Sequence, residues 1–473
     1  MRKILDFLKK NKVAKAGIGY TFGSYLLKGL GFITVPIFSR LLTTEDFGIF
    51  NTFLAYEGIL YLFVGLALHS SIKNAKYEYG DDKLDSYTSS IAIVPAVIIC
   101  VLMVIGNVLD LLGINVLSMD SLQLNMLFLY SFSSSILYIY RGRLIMSYRT
   151  MEYLWVSYFN VIFSILLSVI LVLKVFPEER YVGRILGTTI PMLMIALWIF
   201  LRLFKKAKPK VNLSYWQFGL KISLPIIPHG IGQVLLSSFD RIMITNMIGA
   251  SDAGLYSFAY TIYSIVLVAG NSVATVFEPW AFERMAENKN NILIKRSGQI
   301  VLGLAALCAL TMLIAPELVI ILGSEKYRAA IPAVMPVLLG GFFSMAYTIP
   351  AVVEYYHKKT LYIAVGTCVA TGINIFLNAI FIPQFGYIAA AYTTLVSYFL
   401  YFMFHAFISR RLAGFFIITM KNLTLSGIVL TTGIFVSQVF TDSLLVRYGL
   451  IMVCVILSIF VFMIRSNRMR RQG

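Results

Sequence analysis

The stretch SYLLKGLGFITVPIFSRLLTTEDFGIF (24–50) decides how this chain folds. It is an apolar run long enough to cross about 30 Å of hydrocarbon as a helix, yet it carries Lys28 near its middle. Lys28 stands 13 residues from Lys15 and 12 from Arg40, so about 18–20 Å of helix separates it from either end. Snorkelling does not bridge that distance, and a central lysine costs about 2.5–3.5 kcal/mol on insertion scales. The fold has to account for that cation.

The same apolar texture fills the rest of the chain. Of 473 residues 59% are hydrophobic and only 13% charged, and mean hydropathy is +0.82; a soluble domain carries about 25% charge. Fourteen candidate spans follow one another at 14–41, 47–72, 86–109, 121–141, 152–174, 181–202, 216–247, 253–281, 298–318, 330–353, 360–382, 386–408, 414–440 and 446–464. Proline or polar residues interrupt the spans at 330–353 and 414–440. The alternation of an outer-membrane barrel is absent. The fold class is an all-α membrane protein of about 14 transmembrane helices.

Charge supplies the orientation. With a cytoplasmic N-terminus the inner segments hold 29 Lys and Arg, the outer segments six, and five more lie within spans. Every alternate loop obeys the positive-inside rule, which puts both termini in the cytoplasm. The net charge of +18 is then mostly inner-face charge facing anionic lipid. No nucleic-acid partner is expected, because no basic-aromatic domain stands outside the membrane. Cys100, Cys308, Cys368 and Cys454 all fall in apolar spans without metal-ligand spacing and read as small core residues. RKILDFLKKNK (2–12) reads as a basic interfacial helix leading into the first span, with no cleavable signal peptide.

Three pairs of segments share one offset of 206 residues. Lys15 matches Lys221, TTEDFGIF (43–50) matches GASDAGLY (249–256), and VFPEERYVG (175–183) matches FIPQFGYIA (381–389). Gly48 therefore falls on Gly254, Pro177 on Pro383 and Tyr181 on Tyr387. Six spans per copy is an even number, so the copies insert the same way up, as two parallel repeats around a central cavity. The expected organisation is a six-helix bundle at 1–201, a basic linker at 202–215, a second six-helix bundle at 216–410, and two appended helices with a basic tail at 411–473. Two bundles about a cavity is the plan of an alternating-access transporter.

The chain resembles the polysaccharide transporter branch of the multidrug/oligosaccharidyl-lipid/polysaccharide exporter (MOP) superfamily, particularly the Wzx-type flippases. PIFSRLLTTEDFGIF (36–50), FDRIMITNMIGASDAGLYSFAY (239–260) and NIFLNAIFIPQFGYIAAAYTTLVSY (374–398) carry the resemblance, which covers nearly the whole chain. It implies a flippase of the bacterial plasma membrane that moves undecaprenyl-diphosphate-linked oligosaccharide units from the inner to the outer leaflet. Capsule or O-antigen assembly is the implied setting, with a polysaccharide polymerase and a chain-length regulator as further partners. Sister branches include lipid II flippases and drug exporters.

A diphosphate-linked glycolipid has an anionic, hydrated head, so a cavity passing it needs a few inward cations. Lys28 fits a diphosphate contact, or a structural pair with a carboxylate such as Glu57. Arg241 could offer a fork to phosphate or sugar, beside Asp240, which could cap or pair with another span; both also fit a structural role in an outer gate. Neighbours on a helix point about 100° apart, so those two are not expected to pair with each other. Glu57 is the coupling-ion candidate, for H+ or Na+, or one half of a permanent salt bridge. Arg184, near the outer end of its span, binds substrate or snorkels. Glu278 and Glu354, near inner ends, read as solvated or gate carboxylates. His229 in PIIPHGIG sits in a proline-broken helix that could hinge or simply bury a satisfied ring; His69 and His405 carry little weight. Arg141 and Arg143 are explained by inner-face topology alone. Glycines at 17, 19, 23, 29 and 31 allow close packing or bending.

Four function classes compete for these residues. A lipid-linked oligosaccharide flippase leads, and an ion-coupled drug or small-solute antiporter, or a lipid II flippase, is the alternative. A polymerase or ligase would need a sizeable outer loop, and none exceeds about a dozen residues. A passive scaffold leaves Lys28 without a purpose. There is no P-loop, so an ion or substrate gradient rather than bound ATP is the expected energy source.

Overall fold

The computed structural model describes residues 12–207, 211–440, 443–450 and 452; the side chains at 12–22, 24, 25, 28 and 31 lie outside the described residues. Most of the basic segment 2–12, the side chains of Lys15 and Lys28, and nearly all of the fourteenth span, with Cys454, fall outside them too. A backbone in hydrocarbon has no water to bond to, so each span closes its own hydrogen bonds as helix. The described residues accordingly contain helices and no strand, and twelve helices are long and apolar enough to cross a membrane.

The first span is α1 (Lys12–Leu41), 30 residues with Pro36 inside it. Next come α2 (Thr44–Gly65), α3 (Ile72–Leu111), α4 (Ser121–Met146), α5 (Thr150–Ile170) and α6 (Arg180–Lys206). α3 is bent at Gly80, where φ is 75°, a conformation that favours glycine. The seventh span is split into α7 (Leu213–Ser223) and α8 (Ile227–Met247), with Pro225 and Pro228 at the break. Beyond α9 (Ala250–Ala286) the chain forms α10 (Asn290–Leu313) and α11 (Ala315–Gly323). The ninth span, expected at 298–318, therefore stops at Leu313, and Pro316 opens a new helix. The interrupted tenth span is α12 (Ile331–Ala346) and α13 (Thr348–Tyr356), parted at Tyr347. Then come α14 (Thr360–Phe385), α15 (Tyr387–Ala413) and α16 (Met420–Val439).

Two compact units divide at 254/255, so α7 and α8 lie within the first. In the first unit α1 packs on α5, α2 on α4 and α8, α3 on α4, and α6 on both α4 and α5. Phe53, Leu127, Ile136, Ala196 and Ile199 form its fully buried centre. In the second unit α12 and α14 pack on α15, and α10 packs on α16. The α14–α15 seam is polar although fully buried. Asn374 donates to Thr394 (3.0 Å), Thr393 donates to Asn378, and Thr367 and Tyr401 share a 2.9 Å hydroxyl contact. Where lipid offers no water, such bonds join helices that the hydrophobic effect does not hold together.

The two motifs matched in the sequence touch. A Cβ on Gly48 would overlap the Ala250 carbonyl oxygen, and one on Gly254 would overlap that of Thr44. Since the 206-residue offset pairs Thr44 with Ala250 and Gly48 with Gly254, each copy presents its glycine to the same position of the other. This reciprocity is what a local two-fold relation between copies produces. Thr44 and Ser251 hydroxyls meet at 2.8 Å beside it, and Thr52 and Thr245 at 2.6 Å further along. The entry to α2 is fixed by a capping box: Thr43 Oγ accepts from the Asp46 N–H, and the Asp46 carboxylate accepts from the Thr43 N–H, both at 3.0 Å. The other Asp46 oxygen accepts from the Tyr181 N–H at 3.1 Å, and Arg180 donates to the Leu41 carbonyl at 2.7 Å. The segments around 43–50 and 175–183 are thereby tied together.

Gly48→Ala or Gly254→Ala puts a methyl against backbone, which cannot give way. Each is expected to lower the thermal unfolding temperature markedly, by a loss of about 3 kcal/mol or more. Gly372, in α14 with open space around its Cα, is the control, and Gly372→Ala is expected to be neutral or stabilising by up to about 1 kcal/mol. Fluorescence-monitored melting in detergent reads both.

Candidate functional site

The first unit gathers charge at the meeting of α2, α4 and α6. α2 and α4 approach closely because small residues face each other: a Cβ on Gly65 would stand 2.8 Å from Ser135 Oγ, and Ser131, Ser133, Ser134 and Ser135 are all buried. Glu57 on α2 is half-buried beside Ser134, with one carboxyl oxygen (Oε1) buried and without a hydrogen-bond partner among the described residues. Tyr130 and Tyr138 of α4 and Tyr61, one turn along α2, surround it within electrostatic reach.

Tyr130 also lies within electrostatic reach of Arg184 of α6. The Arg184 guanidinium carbon is 3.6 Å from the ring centre of Phe38 and 4.6 Å from that of Phe50, so α1 and α2 each lay an aromatic face on it. Arg184 donates to Ser168 Oγ of α5 at 2.9 Å, and its Nε is buried without a partner among the described residues. These partners are a hydroxyl and two rings, none of them a carboxylate. Cation–π contact between desolvated groups is worth about 2 kcal/mol each, which offsets part of the burial of the charge. Arg184 is half-buried, with its guanidinium held between two rings and a hydroxyl.

The other sequence candidates fall elsewhere. Lys28 lies on α1, and its side chain is outside the described residues, so the Lys28–Glu57 pair is neither present nor absent here. Asp240 is fully buried on α8, while its neighbour Arg241 is half-buried and donates to the Ser237 carbonyl at 3.1 Å. Glu278 is exposed on α9. Of the solvated and gate readings of Glu354 the solvated one does not hold: the side chain is 0% exposed on α13, and Oε1 meets His405 Nδ1 of α15 at 2.6 Å. His405, given little weight in the sequence, is its partner. His229 opens α8 just past the proline break, with Nδ1 buried and unpartnered among the described residues. Arg143 pairs with Asp85 at 2.7 Å, and Arg202 and Arg149 both pair with Glu152. Among the described residues no group of three or more His, Cys, Asp or Glu could hold a metal ion.

Sequence reasoning missed Tyr130, Tyr138, Phe38 and Phe50. The serine run in YSFSSSILYIY (130–140), unusual inside a span, was a usable signal that α4 packs closely and carries polar contacts.

This is a multi-pass helical membrane protein with the fold of the MOP superfamily. A lipid II flippase MurJ in an inward closed conformation matches it with a TM-score of 0.66 at 15% identity, over 94% of this chain and 98% of that one. An inward-facing multidrug resistance MATE family transporter of the MOP superfamily matches with a TM-score of 0.58 at 14% identity, over 81% and 98%. A MOP superfamily transporter from Pyrococcus furiosus, described as having a binding pocket of reverse polarity, matches at 0.54 and 16% identity, over 85% and 96%. The chain belongs to the polysaccharide biosynthesis protein family, whose profile matches residues 14–285, more than half its length. In sequence it is also 23% identical over 444 residues to the uncharacterized membrane protein MJ1068 of Methanocaldococcus jannaschii, covering 85% of each chain.

Arg184→Lys keeps the charge and loses the planar group between two rings. It is expected to destabilise the protein by about 1–2 kcal/mol, read as a lower unfolding temperature in detergent. An unchanged melting temperature would show that the ring contacts carry no stability.

Proposed function

We propose that this protein flips undecaprenyl-diphosphate-linked oligosaccharide units from the inner to the outer leaflet by alternating access, in a bacterial plasma membrane with both termini cytoplasmic. The observation that carries this reading is Arg184, a cation enclosed in the first unit whose neighbours are rings and a hydroxyl rather than a carboxylate. An uncompensated intramembrane cation is expensive unless an anion visits it, and a diphosphate head is such an anion. Membership of the polysaccharide biosynthesis family supports the substrate class. The likeness to a lipid II flippase supports a fold able to pass a lipid with a polar head.

In this reading Lys28, Arg184 and Arg241 meet the diphosphate and sugar. Glu57, with its unpartnered oxygen, takes a coupling H+ or Na+, and Asp240 and Glu278 serve the gates. A polymerase and a chain-length regulator would take the product. A second reading, export of a cationic drug, is favoured by one observation: Glu57 sits among Tyr61, Tyr130 and Tyr138, a carboxylate in an aromatic setting that suits an organic cation.

Lys28→Ala is expected to reach the membrane at normal levels and to abolish surface polysaccharide in a host lacking its own flippase. Wild-type polysaccharide levels in that strain contradict the substrate role of Lys28. Glu57→Gln is expected to make transport into vesicles indifferent to an imposed proton or sodium gradient. Gradient dependence equal to that of wild type removes Glu57 from coupling.

A further inference from the structure

We propose that Glu354 and His405 together form a proton-binding site inside the second unit, separate from Glu57. Both side chains are 0% exposed, and Oε1 and Nδ1 are 2.6 Å apart. Their remaining polar atoms, Glu354 Oε2 and His405 Nε2, are buried without hydrogen-bond partners among the described residues, and so is Ser409 Oγ one turn further along α15. Three orphaned polar atoms on two packed helices are more than a satisfied structural pair leaves over.

The net charge of the pair decides its protonation. With the ring neutral and the carboxyl ionised the pair is −1; one added proton, on either partner, makes it neutral; a second makes it +1. Carrying a net charge away from water is heavily penalised, so the singly protonated pair is the state the interior retains. Among the described residues no neighbouring cation changes that balance. α12 and α13 offer Tyr347 at their junction, with its ring 5.4 Å from His405, and Tyr355; α15 offers Tyr401, its ring 4.5 Å away and edge-on, and Phe404. α14 contributes Thr367, bonded to Tyr401 at 2.9 Å, and Gly366, where an added Cβ would stand 3.1 Å from His405 Nε2. On α9, Glu278 is exposed and acts on Tyr355. Lys358, Lys359, Arg410 and Arg411, on the flanking ends of the same segments, are all exposed; only the Lys359 backbone N–H reaches Glu354, at its carbonyl (2.8 Å).

A proton held this way leaves when water reaches the pair, which requires α13 and α15 to part. Loading and release are therefore tied to the conformation of the second unit. Neither the geometry nor the test involves a lipid, so the site stands apart from the substrate reading.

The test counts protons on purified full-length protein. In water, glutamate and histidine titrate at about 4.3 and 6.5, so at pH 8 the unfolded chain keeps no added proton on either. Unfolding wild type with SDS in weakly buffered solution at pH 8, followed with a pH-indicator dye, is expected to release about one proton per molecule more than unfolding Glu354→Gln. Should Glu354→Gln fail to fold, the neutral double variant Glu354→Gln/His405→Gln is expected to give the same one-proton difference. Equal release from wild type and the folded variant overturns the proposal.

Discussion

The contact on which most of the first unit depends is between two backbones, at Gly48 and Gly254. Neither helix start could approach the other with a Cβ in place, since each glycine lies against the carbonyl of the other motif. The consequences are geometric. Gly48 sets the start of α2, Asp46 ties that start to Tyr181, and Arg180 ties α6 back to the end of α1. Phe50, two residues past Gly48, then falls over Arg184, four residues past Arg180, while α1 brings Phe38 to its other side. The enclosed guanidinium is thus a result of where the glycines allow the helices to cross.

Buried polar groups in both units are mostly paired. The second unit closes its α14–α15 seam with amides and hydroxyls, and Arg447, 2% exposed, is held by Glu317 and by the Leu313 carbonyl at 2.7 Å, with its Nε left without a partner among the described residues. Against that background, unpaired atoms stand out as places with work other than packing. Besides several serine and threonine hydroxyls, they include Glu57, Arg184 and His229 in the first unit, and Arg284, Glu354, His405 and the Nε of Arg447 in the second. A half-satisfied polar group in a low-dielectric interior is costly, so a fold that keeps such groups gains something by them. The proposed gains are a substrate anion and a coupling ion in the first unit, and a proton in the second.

The architecture was largely legible in the chain because span length and hydropathy are local properties. The twelve apolar helices follow the expected spans, and the repeat at 43–50 and 249–256 proves to be a contact as well as a resemblance. The site was legible only in part. Glu57 and Arg184 announce themselves as charges in apolar runs, but Tyr130, within electrostatic reach of both, looks like any other aromatic residue in a span. Of the two readings of Glu354, solvated or gate, burial removes the first: distance to a span end is counted along the chain, whereas burial is set by what packs alongside. Its partner His405 is 51 residues away, and no local pattern pairs them. The ninth span shows the same limit in reverse, with Pro316 ending a helix inside a run whose hydropathy continues.

The function proposed for this protein is the passage of a lipid-linked oligosaccharide through it. That event is observed by reconstitution into liposomes carrying a fluorescent polyprenyl-diphosphate oligosaccharide, with access to the outer leaflet read by a membrane-impermeant quencher or enzyme. Protein-dependent exposure of that lipid, several-fold above protein-free vesicles and absent for phosphatidylcholine, is the predicted result. No exposure of the glycolipid by vesicles that export an organic cation would contradict the proposed function.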